Sequence, residues 1–344
     1  MAWYFTTLLL LAAVTGFAAH RASVCTVRAV LEIIQSRTAH MLAGFIKTAL
    51  WAALVFGLLV WITPESGAPR TLMVLEPRPL ALAGGFLFGV GAVSNGACSY
   101  STLQRVADGD LWGLTTLAGM ALGVLGWTTL DAALVMTRPA AVPVGWTQAG
   151  TLTPYLLAAL VLLGIFEAYR LWRRSPGTDA PLARVLAPHY RVASAALVMG
   201  VSAGLLYALH GGWSYTTTLR RAVEAGYRGG PGPTQIQLAL FAAFFCGMLL
   251  SALQRGSFRL RWTPTGSVWP RLTGGALMGA GAAMVPGGND TLILTGLPAF
   301  SGWALGAYVA VIVGVATGLV FARWRGARLP IVTCENGICR ERAA

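Results

Sequence analysis

The chain has 344 residues, 56% of them hydrophobic and 11% charged, with a formal net charge of +13. Apolar runs of about 20 residues recur along it, each long enough to cross roughly 30 Å of hydrocarbon at 1.5 Å per residue. These features exclude a soluble globular domain, and five scattered cysteines exclude a disulfide-stapled scaffold. An all-α polytopic membrane protein is expected, with nine spans near 3–19, 39–62, 79–94, 110–136, 152–172, 191–209, 234–254, 271–286 and 301–322. The positive charge fits arginine in cytoplasmic loops, a preference for anions, or both. No nucleic-acid partner is expected.

The first run, Trp3 to Ala19, has no basic region before it and no clear cleavage site after it. It is read as a retained span. It leads into GFAAHRASVCTVRAVLEIIQSR, where Cys25 opens an amphipathic segment between Arg21 and Arg28. Arg21 is expected to snorkel to headgroups. Arg28 is left between that role and anion binding, and His20 and His40 are placed at the interface.

The third span is short and glycine-rich and breaks within GVGAVSNGACSYSTLQR. Backbone that leaves a helix at membrane depth must line a cavity or be buried in protein. A half-helix starting after Cys98 offers free N–H groups and a partial positive charge, the outline of an anion site. Gly96 and Ala97 carry so little side chain that a ligand can approach their backbone. Ser99 and Ser101 are either further donors or helix caps. The Cys98 thiol is either a small buried apolar group or a soft donor suited to a sulfur anion.

After a linking span near 152–172, the pattern returns. GGFLFGVGAVSNGAC from Gly84 aligns with GGALMGAGAAMVPGG from Gly274 at an offset of 190 residues. Gly84, Gly85, Gly89 and Gly91 meet Gly274, Gly275, Gly279 and Gly281, and Gly57 meets Gly247. Such glycines allow close helix packing, but packing alone does not predict the matching break after both runs. Four spans per half around one linker make an inverted repeat, which in transporters places the substrate site between the repeats. The expected division is a first repeat over 1–136, linker and basic loop over 137–190, a second repeat over 191–322 and a tail over 323–344.

Three segments are basic: Arg170, Arg173, Arg174, Arg184 and Arg191; Arg255, Arg259, Arg261 and Arg271; and Arg323, Arg325 and Arg328. With nine spans all three fall on one side, which puts the C-terminus in the cytoplasm and the N-terminus outside. Cys246, within FAAFFCGMLL, is expected to pack in the core. Cys334 and Cys339, in TCENGICRERAA, stand in a polar tail with four residues between them. They are read as tail cysteines or as a thiol pair that handles incoming sulfur.

GFAAHRASVC, GGFLFGVGAVSNGACSYSTLQR and GGALMGAGAAMVPGGND together resemble the YeeE/YedE family of sulfur-compound transporters over nearly the whole chain. The resemblance implies an hourglass-shaped thiosulfate permease of the bacterial inner membrane, with cysteines along a narrow path passing the anion between thiols. Cys25 and Cys98 would be two of them. It also implies a cytoplasmic sulfur-carrier partner of the TusA type. Where the family generally has a third cysteine, this chain has Gly288, within Pro286-Gly287-Gly288-Asn289-Asp290. Asn289 and the Gly287-Gly288 backbone are expected to complete the path. Asp290 is read as a helix cap, because an ionised carboxylate facing the path would repel the cargo.

No phosphate-binding GxxxxGK[ST] loop occurs, and no cofactor or metal is called for. Three readings stand: a thiosulfate permease, a permease for a selenium or other sulfur anion, and a membrane enzyme with Cys98 as nucleophile. The last needs a base within reach, whereas His20, His40, His189 and His210 sit near span ends or in loops.

Overall fold

A computed structural model describes residues 2–63, 71–76, 79–148, 150–173, 187–262 and 267–342. Arg174 and Arg184 of the expected basic loop lie outside the described residues. The helices of the first half are α1 (Ala2–Arg21), α2 (Thr26–Ser36), α3 (His40–Ile62), α4 (Pro79–Asn95), α5 (Ser99–Ala107) and α6 (Gly113–Leu134). A short α7 (Gly145–Gln148) and the long α8 (Thr153–Arg173) follow. The second half holds α9 (Val192–His210), α10 (Tyr215–Arg228), α11 (Gln235–Arg255), α12 (Val268–Met284), α13 (Asn289–Thr291) and α14 (Gly302–Trp324). The helix begun by α13 continues as a π-helical turn, Leu292–Gly296.

Among the described residues, eight segments are long and apolar enough to cross a bilayer. The ninth expected span, 271–286, corresponds to α12, whose 17 residues make a rod of about 26 Å at 1.5 Å per residue. It is short because Pro286 and Gly287 end it, just as Asn95 and Gly96 end α4. The chain is not purely helical. Strands β1 (Thr71–Glu76) and β2 (Arg138–Pro143) pair antiparallel, as do β3 (Ile331–Glu335) and β4 (Ile338–Arg342) in the tail.

Packing is reciprocal between the halves. α1 lies on α11 and α3 on α9, while α4 lies on α14 and α6 on α12, with α4 and α12 crossing each other. Glycine sets these distances. A methyl group on Gly91 would stand 2.7 Å from the Gly274 carbonyl oxygen, and one on Gly274 would stand 2.7 Å from that of Gly91. Gly84 and Gly281 oppose each other in the same way one end further along, with Gly84 at 2.9 Å from the Gly281 oxygen. Gly85 and Gly89 bring α4 onto α14, and Gly275 and Gly279 bring α12 onto α6. Without a hydrophobic drive between helices in lipid, such close backbone approach supplies the packing attraction.

This packing also decides two cysteines. Gly247 faces the backbone of Ala13 on α1, so Cys246, one residue and about 100° away on the helix, lies on the outer surface. It is exposed, which corrects the expectation of a core residue. In the tail, Cys334 and Cys339 are neighbours across the β3–β4 hairpin and form a disulfide.

Candidate functional site

The site is built where helices stop. Asn95 closes α4 by donating to the Ala97 carbonyl (2.8 Å) and the Thr102 hydroxyl (3.0 Å), while its own oxygen accepts from Thr116 (2.7 Å). Gly96 turns the chain with φ +70, a conformation that suits glycine. The chain re-enters a helix at Ser99 with Cys98 as the N-cap residue. Cys25 is likewise the N-cap residue of α2. Gln104 on α5 ties the two junctions together by donating to the carbonyls of Ala19 (3.1 Å) and Val24 (3.3 Å). As a result the Cys25 and Cys98 thiols lie against each other, and the Thr26 amide donates to Cys98 Sγ at 3.4 Å. The two cysteines are 1% and 0% exposed.

Asn289, fully buried, joins this pair to the other half. Its Oδ1 accepts from Ser99 Oγ at 2.5 Å and its Nδ2 donates to Thr26 Oγ1 at 3.0 Å. It therefore touches the residue after each cysteine. Gly288 is the N-cap residue of α13, and its amide donates to Thr216 Oγ1 at 2.9 Å. A Cβ at Gly288 would meet Asp290 Oδ1 at 2.9 Å, Thr216 Cγ2 at 3.0 Å and Phe88 Cε2 at 3.1 Å. The space for a third side chain is thus taken by Asp290, which accepts from the Thr216 hydroxyl (2.6 Å) and amide (3.3 Å). Asp290 does cap a helix, but a neighbouring one, α10. Where the Thr26 amide meets a thiol, the Thr216 amide, 190 residues on, meets a carboxylate.

Gly96, Ala97 and Gly287 serve the turns instead. The Gly96 and Ala97 amides donate to Val93 (2.9 Å) and Ala92 (3.0 Å), and the Gly287 amide to Ala282 (2.7 Å). Gly287 has φ +136, and a Cβ there would overlap Thr291.

Sequence reading passed over α10 and its cap. Ser214 accepts from the Thr217 amide at 3.2 Å and shares a 2.6 Å hydrogen bond with Thr291 Oγ1. The signal was present in GGWSYTTTLRR, a serine cap before an amphipathic stretch, but no cysteine drew attention to it. Also unforeseen were Thr26, Thr216 and three buried tyrosines, Tyr100, Tyr215 and Tyr308.

Two residues at the end of α1 depart from expectation. His20 and Arg21 are each 1% exposed rather than interfacial. His20 bonds Ser251 (2.9 Å) and Asp108 (3.1 Å). Arg21 lies against the Phe17 ring (4.9 Å) and donates to Gln254 (2.7 Å) and to the Ala187 carbonyl. Ser251 and Asp108 hold His20, and Gln254 and the Ala187 carbonyl hold Arg21, so both side chains stay within the protein instead of reaching for headgroups. Burial alone would push the Asp108 carboxyl up, but hydrogen bonds from His20 and Ser257 and the charge of Arg255 hold it below the ordinary carboxylate range. Outside the cysteine pair, Arg28 pairs with Glu341 of the tail hairpin at 2.5 Å, and Arg105 donates to the Gly96 carbonyl at 3.0 Å.

A bundle interrupted twice, with thiols facing at the first break and an amide reaching across from the second, has a counterpart among known proteins. The sequence profile of a family described as sulphur transport matches residues 21–317. The chain belongs to this family, YeeE/YedE. The matched region runs from the end of α1 into α14 and so contains both broken helices and both buried thiols. No curated protein matches the chain. As a member of the sulphur-transport family with membrane-spanning helices, it is a transporter of sulfur compounds.

Proposed function

We propose that this YeeE/YedE member imports a small reduced-sulfur anion, thiosulfate foremost, across the bacterial inner membrane. The observation that carries the reading is the contact between Cys25 and Cys98, two thiols with almost no exposure at the caps of two interrupted helices. Thiols are weak, soft donors and match a terminal sulfur better than they match water. Arg28 and Arg105 act electrostatically on Cys25 and draw an anion towards that end. Asn289 and the Gly287-Gly288 segment complete the path from the second half, while Gly96 and Ala97 shape the turn that presents Cys98.

The two halves, 1–136 and 191–322, act as an inverted repeat around α8, a reading supported by the reciprocal helix pairs and opposed glycines. The face with Arg21, Arg28, Arg191 and Arg255 is cytoplasmic, together with the tail over 323–344, and the N-terminus is outside. A TusA-type carrier takes up the sulfur there. The protein is not an enzyme in this reading: His20, which sits nearest to Cys25 in sequence, is engaged by Ser251 and Asp108. One observation favours a second cargo. Asp290 and Thr216 fill the place of the family's third thiol, which suits a selenium or other sulfur anion that needs only two soft contacts.

Uptake of radiolabelled thiosulfate in a strain without other importers tests the reading. A hydrogen bond to a charged group is worth about 1.5–3 kcal/mol, so Cys98→Ala should lower uptake by about 10- to 100-fold. Uptake equal to wild type refutes the thiol role, and competition by selenium anions separates the two cargoes.

A further inference from the structure

Two cavities of different character meet on the outer face of α3 and α8, far from the thiols. The first, of about 190 Å³, is an apolar groove in which Ile46, Leu50 and Leu54 of α3 face Leu160 and Leu163 of α8. The second, of about 580 Å³, lies beyond the end of the groove, where Lys47, Arg170 and Arg191 gather. Ala43 and Lys47 line both, so the two are continuous.

Charge at the junction is held in place. Glu167 accepts from Lys47 through Oε2 at 2.7 Å and from Arg170 through Oε1 at 3.3 Å. One carboxylate thus fixes two cations, and the group keeps a net positive charge. Arg191, the N-cap residue of α9, lines the same cavity. Its far wall is the Asn336-Gly337 turn of the tail hairpin, tied down by the Val192 amide donating to the Gly337 carbonyl at 2.8 Å. The aromatic residues give the depth. Tyr169 and Trp172, either side of Arg170 on α8, are 50% and 73% exposed, and amphipathic rings of this kind sit at the headgroup level. From Lys47 to Leu54, and from Glu167 back to Leu160, the groove descends about 10 Å into the hydrocarbon at 1.5 Å per residue.

We propose that the groove and the basic cavity together hold one anionic phospholipid, with an acyl chain along Leu50, Leu54 and Leu160 and the phosphate among Lys47, Arg170 and Arg191. Basic pockets between membrane helices suit anionic headgroups. A soluble anion would use the cavity and leave the groove empty. A zwitterionic lipid would bring its own cation up to three others. The lipid would bridge α3, α8, α9 and the tail hairpin, and it would tie α8 to the bundle beyond the contact of Gly164 with Leu54 and Trp51. None of this depends on the cargo.

The test is native mass spectrometry of the delipidated protein in neutral detergent, titrated with phosphatidylglycerol, phosphatidylcholine or glycerol phosphate, with Tm followed in parallel. Wild type should bind one phosphatidylglycerol about tenfold more tightly than phosphatidylcholine, with a rise in Tm, and should not bind glycerol phosphate over the same range. Removing one cation weakens attraction to an anionic lipid about fivefold, so Arg170→Gln should bind phosphatidylglycerol less tightly by that factor. Glu167→Gln should bind it more tightly, because the carboxylate that competes for Lys47 and Arg170 is gone. Ala43→Phe should weaken it by filling the passage between groove and cavity. Equal affinity for the two lipids, or Arg170→Gln within twofold of wild type, overturns the proposal. Glycerol phosphate that binds as tightly as phosphatidylglycerol overturns it too, since the cavity would then be a site for soluble phosphate. Weaker binding by Glu167→Gln marks the ion pairs as structural and has the same consequence.

Discussion

Asn289 provides a quantitative test of how the halves are joined. Replacing it with alanine deletes an acceptor for Ser99 Oγ at 2.5 Å and a donor to Thr26 Oγ1 at 3.0 Å. Ser99 and Thr26 are 0% exposed, so water cannot take over. Each partner left unpaired in the interior costs about 1–3 kcal/mol, and the lost side-chain atoms add a small cavity term. The sum is about 2–6 kcal/mol. At about 2–4 °C per kcal/mol for a large domain, the Tm should fall by roughly 4–24 °C. Unfolding in detergent is best followed at one fixed scan rate, because irreversible unfolding makes Tm depend on it. Ser99→Ala provides the control. It should cost less in the Asn289→Ala background than in wild type, with a coupling of about 1–2 kcal/mol. A shift below about 0.5 kcal/mol for Asn289→Ala, or strict additivity of the two changes, would show that Asn289 does not join the halves.

Two further outcomes follow from the packing and from the rim. Gly123 faces the backbone of Ala276 and Ala280 on α12, whereas a methyl group on Gly126 would meet nothing within 4 Å. Gly123→Val should push α6 off α12 and abolish a monodisperse peak in size-exclusion chromatography; Gly126→Ala should be neutral or stabilising by up to about 1 kcal/mol. Asp108, held below the ordinary carboxylate range, contributes stability above the unfolded carboxylate pKa of about 4, and that contribution disappears as pH falls through the lower folded value. The Tm difference between wild type and Asp108→Asn should therefore be full near pH 7 and shrink below about pH 4; a difference that stays constant with pH refutes this coupling.

Much of the architecture is legible in local pattern. Runs such as HMLAGFIKTALWAALVFGLLVWI have one stable solution in lipid, a helix that pairs its own backbone groups. The two breaks are legible for a related reason: Asn-Gly and Pro-Gly-Gly interrupt apolar runs where a continuous helix would be cheaper. The positions of Cys25 and Cys98 at helix starts follow from those interruptions. Other features depend on distant partners. His20 and Arg21 look interfacial because they end an apolar run, and only Ser251, Gln254 and Asp108, arriving from α11 and the α5–α6 turn, bury them. Cys246 looks like core because its neighbours are apolar, but the side of α11 that meets α1 is decided by Gly247.

By itself the sequence determines a multi-pass helical bundle with two glycine-lined, interrupted helices, because backbone satisfaction in hydrocarbon and the chain-breaking residues are local matters. Tertiary structure decides that Cys25 meets Cys98, that Asn289 reaches both of their neighbours, and that Asp290 stands where a third thiol would fit. Those meetings join residues 72 to 263 positions apart, and they depend on how closely opposed glycines let the two halves approach.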